Sequence, residues 1–139
     1  VMPEKKKIYD FLNQNRDIAF ATVGSDGKPR IRGFQIMKTD ENTHTLYFAT
    51  GSGKEVYKQL QQNPSVELLC MSGGISVRIA GDAISDVPDA TAQEIYSTNS
   101  VLSWLYEDYR NLVYFRVPIV SLDYYDLNVD PPVLERYSF

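Results

Sequence analysis

Two short basic stretches hold the residues of this chain best suited to chemistry. They are Pro29-Arg30-Ile31-Arg32-Gly33-Phe34 and Tyr47-Phe48-Ala49-Thr50-Gly51-Ser52-Gly53-Lys54-Glu55. A strand that ends in small residues and leads into a serine and a lysine at the mouth of a helix builds an anion site. Free backbone N–H groups and the helix dipole favour a phosphate there. An arginine from a neighbouring strand adds a bidentate, charge-assisted contact. If the two anchors meet at one phosphate, the chain describes a site for a phosphorylated cofactor.

The elements that must position these anchors follow from periodicity and turn chemistry. The spacing of Ile8, Phe11 and Leu12 predicts a helix over 3–15, with Pro3 in its first turn. Residues 17–23 read as a strand, and Ser25-Asp26-Gly27-Lys28 as a tight hairpin turn, because Asp-Gly accepts positive φ cheaply. A second strand is expected over 29–38, a turn over 40–44 and a third strand over 45–50. Ser52 followed by Glu55 fits a capping box, with Ser52 as N-cap of a helix over 53–62 that Asn63-Pro64 stops. Strands over 65–72 and 75–84 are joined by Gly73-Gly74. Short helices are expected over 88–96 and 100–109. Two further strands, 112–120 and 121–127, bend at Pro118, and Pro131-Pro132 opens a tail. Strands joined by tight turns pair antiparallel, so the expected fold is mainly β (α+β). It is an antiparallel six- to seven-stranded split β-barrel with short flanking helices, in one domain over 1–139.

Composition narrows the function. The chain has 139 residues, enough for a single core, and its ten tyrosines and six phenylalanines suit a strand-rich protein. A formal net charge of −4 and the absence of a long basic run argue against sequence-independent nucleic-acid binding. No apolar run approaches the length that spans a bilayer, and no apolar signal region follows the charged N-terminus, so a cytoplasmic location is expected. The lone cysteine, Cys70, lies in an apolar run and reads as an inert buried thiol. There is no histidine–cysteine cluster for zinc, no Gly-x-Gly-x-x-Gly after a strand and no Gly-x-Ser-x-Gly elbow, so no metal site and no catalytic side chain is assigned. The single histidine, His44, reads as a surface turn residue.

The ordered combination of Ile-Ala-Phe-Ala-Thr-Val strand, Asp-Gly turn, Pro-Arg-Ile-Arg-Gly-Phe strand, Leu-Tyr-Phe-Ala-Thr strand, Ser-Gly-Lys helix start and Ser-Val-Arg-Ile-Ala-Gly strand resembles a known family. It is the FMN-binding split-barrel superfamily related to pyridoxamine 5′-phosphate oxidase. Within it the chain is most similar to the short nitroimidazole-reductase-like members. The resemblance covers roughly residues 3–127.

It implies that Arg32, placed three residues after a proline on the second strand, holds the FMN phosphate with Ser52 and Lys54. It implies that the backbone of Phe34, Phe48, Ala49 and Thr50 lies along the flavin ring. A family glutamine that reaches the partner subunit's flavin is matched here by the shorter Ser76. The resemblance further implies a homodimer with cofactor at the subunit interface. It implies FMN-dependent oxidoreduction of a small aromatic acceptor, nitroaromatic or quinone-like, with NADH or NADPH as donor. The alternatives are a non-catalytic FMN carrier and a deazaflavin- or haem-binding relative on the same barrel. The chain lacks the carboxy-terminal tryptophan and Arg-Leu segment of the vitamin B6 oxidase itself.

Each residue also has a purely structural reading. Arg32 suits a solvated strand, Ser52 a helix cap and Lys54 an open surface. Arg78 suits a cross-strand ion pair. Trp104, Tyr106 and Tyr109 suit either a pocket over the flavin or core and dimer packing.

Overall fold

The computed structural model describes residues 3–139, with side chains from Lys5 onward; the reading of the extreme N-terminus falls partly on Val1 and Met2, outside the described residues. Helix α1, Pro3–Gln14, precedes β1, Asp17–Val23, which turns through Gly27 at φ 78° into β2, Pro29–Gln35. Asp26 and Gly27 supply the turn as expected: the Lys28 N–H donates to the Asp26 carboxylate at 3.0 Å, and Gly27 takes the left-handed conformation.

The expected second strand over 29–38 is in fact two elements. The first, β2, pairs with β1, and the second, β3 (Lys38–Asp40), pairs with β4 (Thr45–Thr50). The split lies at Ile36 and Met37. The Ile36 N–H donates to the Arg16 carbonyl and the Met37 N–H to the Tyr47 carbonyl, each at 2.9 Å. Two consecutive amides thus leave for opposite ends of the sheet. The Met37 carbonyl anchors the break by accepting from Arg16 at 3.1 Å and from the buried Asn99 amide at 3.0 Å.

Helix α2, Glu55–Gln62, leads into the hairpin of β5 (Ser65–Ser72) and β6 (Ile75–Asp82) through Gly73 and Gly74, both at positive φ. Helix α3 (Asp89–Thr98) meets the first of the two short helices expected, and the second is divided into α4 (Ser100–Leu105) and a 3-10 turn at Tyr109–Asn111. The two strands expected over 112–127 are one continuous strand, β7, Val113–Asp126. Pro118 does not break it, because the strand changes partner there: Val113–Pro118 pair with β4, and Ile119–Asp126 with β6. Gly81 faces this crossover, where a Cβ would lie 2.5 Å from the Pro118 carbonyl oxygen. The expected tail contains an eighth strand, β8, Val133–Ser138, paired with the second half of β7.

The sheet runs β2-β1-β5-β6-β7-β4-β3 with β8 beside β7, antiparallel throughout, and curls into a split barrel. Alternation along the strands drives the curl. Ile18, Phe20, Val66, Leu68, Val77, Ile79, Leu122 and Tyr124 point inward and are buried. At the centre Phe20, Phe34, Phe48 and Phe115 pack ring on ring, with centroids 5.1–6.1 Å apart. Because Phe34 belongs to β2 and Phe48 to β4, this cluster closes the barrel across its split. Cys70 is buried as expected, its thiol pushed up to about 11 by desolvation, which leaves it protonated and inert. Among the described residues no helix is long and apolar enough to cross a membrane.

Candidate functional site

Arg32 sits on β2, an edge strand, and turns toward the same side as Phe34. Its guanidinium is half-buried and held by neutral oxygens alone: the Phe20 carbonyl at 3.1 Å, the Thr22 hydroxyl at 2.8 Å and the Gln59 side-chain oxygen at 2.6 Å. The Thr22 hydroxyl also lies 2.5 Å from that Gln59 oxygen, so the three side chains form one network between β1, β2 and α2. Burial pulls the Arg32 guanidinium below its ordinary value, and no carboxylate offsets this. A cation dried in this way, without a counter-charge, is poised to accept an anion.

Arg30, the other arginine of the first anchor, is committed elsewhere. It pairs with Asp26 of the hairpin turn at 2.9 Å.

The second anchor departs from the expected capping box. The Lys54 N–H donates to the Gly51 carbonyl at 3.1 Å, which closes a turn over Gly51–Lys54 and delays the helix. Lys54, not Ser52, is therefore the N-cap, and no side chain caps the first turn. Glu55 becomes the first helical residue, and its carboxylate lies 3.5 Å from the Lys58 ammonium rather than folding back to Ser52. The first-turn N–H groups of α2 have no partner within the helix by geometry. Ser52, Gly53 and Lys54 are all exposed beside them. What the capping box would have satisfied from within is left to an external acceptor.

Arg32 and Lys54 meet the same helix but do not touch. Gln59 lies five residues beyond Lys54, or ~7.5 Å along the axis, so Arg32 flanks the helix about a turn and a half from its start.

Phe34 and Phe48 contribute their rings to the core, Phe48 being fully buried, so only their backbone is available to a ligand. Ala49 and Thr50 are likewise buried. Pairing of β4 with β3 ends at Tyr47, which leaves the β3-side edge of Phe48–Thr50 without a strand. Ser76 lies on the outer face of β6, opposite Tyr125, and lines a cavity of about 320 Å³ with Leu69, Arg78, Asp123, Leu134 and Arg136. One protomer does not bring Ser76 to Arg32.

Thr22 and Gln59 were not foreseen. Both carried a signal: Thr22 is a polar residue at the buried parity of Ile18 and Phe20, and Gln59 falls three residues after buried Val56 on the inner stripe of α2.

The three aromatic candidates separate. Trp104 is 81% exposed and so is no core residue, whereas the Tyr109 hydroxyl donates to Asp89 at 3.0 Å. Tyr106 packs against the small cluster of Met37, Ala49, Ile95, Leu102 and Leu112. His44 is less of a surface residue than expected. Its Nδ1 lies 2.7 Å from the buried Tyr9 hydroxyl, and its ring packs tilted against Phe139 with centroids 4.2 Å apart. Among the described residues no group of three or more histidine, cysteine or acidic side chains could hold a metal.

The profile of the family described as pyridoxamine 5′-phosphate oxidase matches residues 4–115, from α1 into β7. The chain belongs to that family. Solved structures agree on the family's fold over the whole chain. A NimC/NimA family protein from Clostridium acetobutylicum superimposes with a TM-score of 0.79 at 21% identity, covering 99% of this chain and 95% of that one. PhzG from Burkholderia lata, solved with tetrahydrophenazine-1-carboxylic acid, gives 0.78 at 15% identity, with 100% and 92% covered. A pyridoxamine 5′-phosphate oxidase-related, FMN-binding protein from Nostoc punctiforme gives 0.71 at 18% identity, with 100% and 97% covered. Comparison with curated proteins finds no match. Both anchors, Arg32 and the Gly51–Lys54 turn, fall inside the matched segment of the family.

Proposed function

We propose that this chain binds FMN by its phosphate between β2 and the start of α2, in a groove completed by a second copy of the chain. The FMN serves oxidoreduction of a small aromatic acceptor, nitroaromatic or quinone-like, with NADH or NADPH as donor. The observation that carries the reading is Arg32: a half-buried guanidinium, held only by neutral oxygens, on the flank of a helix whose start no side chain caps. Its setting fits a phosphate monoester. The Arg32 charge is uncompensated, and the first-turn amides of α2, the Ser52 hydroxyl and the Lys54 ammonium are all open to a ligand. The strandless edge of Phe48–Thr50 fits a planar ring lying along the backbone.

When bound, the flavin would supply reversible two-electron chemistry. The chain's own part is to hold and orient. Arg32 and Lys54 neutralise the phosphate, and the Thr22–Gln59 pair fixes the Arg32 fork. Peptide groups at the β4 edge present fixed dipoles to a planar ligand.

The outer sheet face supports a second copy as the other wall. Small outward residues Gly33, Ala19, Ala21 and Ala80 make it flat, and Ile31 and Met71, 72% and 69% exposed, put apolar surface on it beside the Glu67–Arg78–Asp123 ion pairs. Ser76 lies on this face, so a partner packed there could receive it at its own flavin.

The first test is the visible spectrum of the purified protein, with the mass of any released chromophore. A flavin spectrum and the mass of FMN are expected; a protein that neither carries nor takes up FMN would overturn the reading. In Arg32→Ala, loss of a charge-assisted contact should weaken FMN tenfold to a hundredfold, on the order of 1.5–3 kcal/mol, with the fold retained. Turnover of NADH or NADPH with a nitroaromatic or quinone then separates an enzyme from a carrier.

A further inference from the structure

The turn that carries Lys54 has a second wall. At Gly51 a Cβ would lie 3.1 Å from the Tyr106 hydroxyl oxygen and 3.6 and 4.0 Å from Cγ and Cε of Lys54. The glycine therefore lets the phenol oxygen close on the turn backbone beside the lysine stem, where even a methyl group would already be tight. No positive φ demands glycine here, since Gly51 is not among the glycines in the left-handed region. What the missing side chain provides is the close approach of the Tyr106 hydroxyl to the turn.

Tyr106 is held firmly for a residue in a connecting segment. Its N–H donates to the Leu102 carbonyl at 2.8 Å, closing α4. Its carbonyl accepts from the Tyr96 hydroxyl at 2.6 Å. Its ring packs against the cluster of Met37, Ala49, Ile95, Leu102 and Leu112. Backbone donor, backbone acceptor and ring are thus all committed, and among the described residues the hydroxyl alone has no hydrogen-bond partner. Fixing the rest of the residue delivers this one group to the Gly51–Lys54 turn at little further cost in side-chain entropy. A phenol O–H is a good donor to an anionic oxygen, and here it stands beside the Lys54 stem.

We propose that Tyr106 is a further ligand-holding residue of this site, its hydroxyl donating to the phosphate monoester that Lys54 neutralises above Gly51. The inference rests on the flavin-phosphate reading and adds to it a contact from α4, an element outside the two anchors. It also gives Gly51 a reason: a side chain there would push the Tyr106 hydroxyl away from the turn.

The test compares FMN with riboflavin, which lacks the phosphate, on the parent protein, Tyr106→Phe and Gly51→Ala, by fluorescence titration and by melting of the unliganded proteins. Tyr106→Phe should leave the unliganded melting temperature unchanged, lower FMN affinity roughly tenfold and leave riboflavin affinity as in the parent. Gly51→Ala should likewise lose FMN selectively. A Tyr106→Phe protein that binds FMN as the parent does would overturn this inference and leave the flavin reading standing. So would equal losses for FMN and riboflavin, which would assign Tyr106 to the ring or ribityl chain. A parent that binds neither flavin would overturn both.

Discussion

At the scale of single residues, the site separates side chains the fold needs from side chains it does not. Ser52 is the sharpest case. As a helix cap it would stabilise the unliganded protein, and its removal would cost about 0.5–2 kcal/mol. In the structure the cap is Lys54, and Ser52 is exposed outside the helix. Ser52→Ala should therefore leave the melting temperature of the unliganded protein unchanged and reduce only the shift that added FMN produces. Thermal melts with and without FMN decide this, and a loss already present without ligand would return Ser52 to a capping role. The sequence pattern Ser-Gly-Lys-Glu suits both outcomes, because hydrogen-bond capacity is written in residue types but the turn that uses it is not. Arg32 was singled out through the family resemblance, because its residue type and strand position alone suit a solvated arginine equally well. Its acceptors were not, since Thr22 and Gln59 lie ten residues before it and twenty-seven after, and only the packing of α2 on β1 joins them.

At the scale of elements, the tight hairpins came through the local signals, and the number and bounds of the strands did not: the described residues form eight where six or seven were expected. The hairpin at Asp26-Gly27 and the one at Gly73-Gly74 were readable from turn chemistry alone. The break at Ile36-Met37 was not, because both residues are apolar and continue the strand pattern while their amides bond to different strands. β8 was missed because Pro131-Pro132 suggested a tail, yet the next six residues, Val133–Ser138, pair along β7. The turn before β4 gives an element-scale prediction. His44 adopts φ 52°, and its Nδ1 accepts from the Tyr9 hydroxyl, whose own value is pushed up to about 12 chiefly by burial, so Tyr9 is the donor and His44 the neutral acceptor. Burial, with Lys5 nearby, holds His44 below its ordinary value, against a smaller opposing pull from Asp40. The unfolded chain then takes up the proton more readily than the folded one. This contribution to stability is complete above pH ~6.5 and is lost as the pH falls through the depressed folded value. His44→Asn, which tolerates positive φ, should flatten the decline in denaturant stability between pH 7.5 and pH 5 relative to the parent. Identical declines in the two proteins would clear His44 of any part in it.

At the scale of the whole molecule, the antiparallel barrel was legible because tight turns force neighbouring strands to pair. The closure by four phenylalanines was not, since their spacing gives no hint that β2 and β4 meet. The flat outer face carries the remaining prediction. If a second copy covers Ile31 and Met71, Met71→Glu should convert a dimer to monomers in light scattering and weaken FMN binding, because cofactor binding and assembly are then coupled by mass action. A parent that is monomeric while binding FMN tightly would remove the shared groove. The long strand β7 has an implication of another kind, for the order in which the chain is made. β4 is synthesised with only the short β3 beside it, and its main partner, Val113–Pro118, emerges more than sixty residues later. At ~5–20 residues per second the ribosome takes several seconds to deliver it. Over that interval Thr45–Thr50 presents an unpaired strand edge, and Phe48 waits for the Phe115 ring that completes its packing. The groove proposed for the cofactor therefore completes late, and Thr45–Thr50 spends its first seconds with a strand edge open to association.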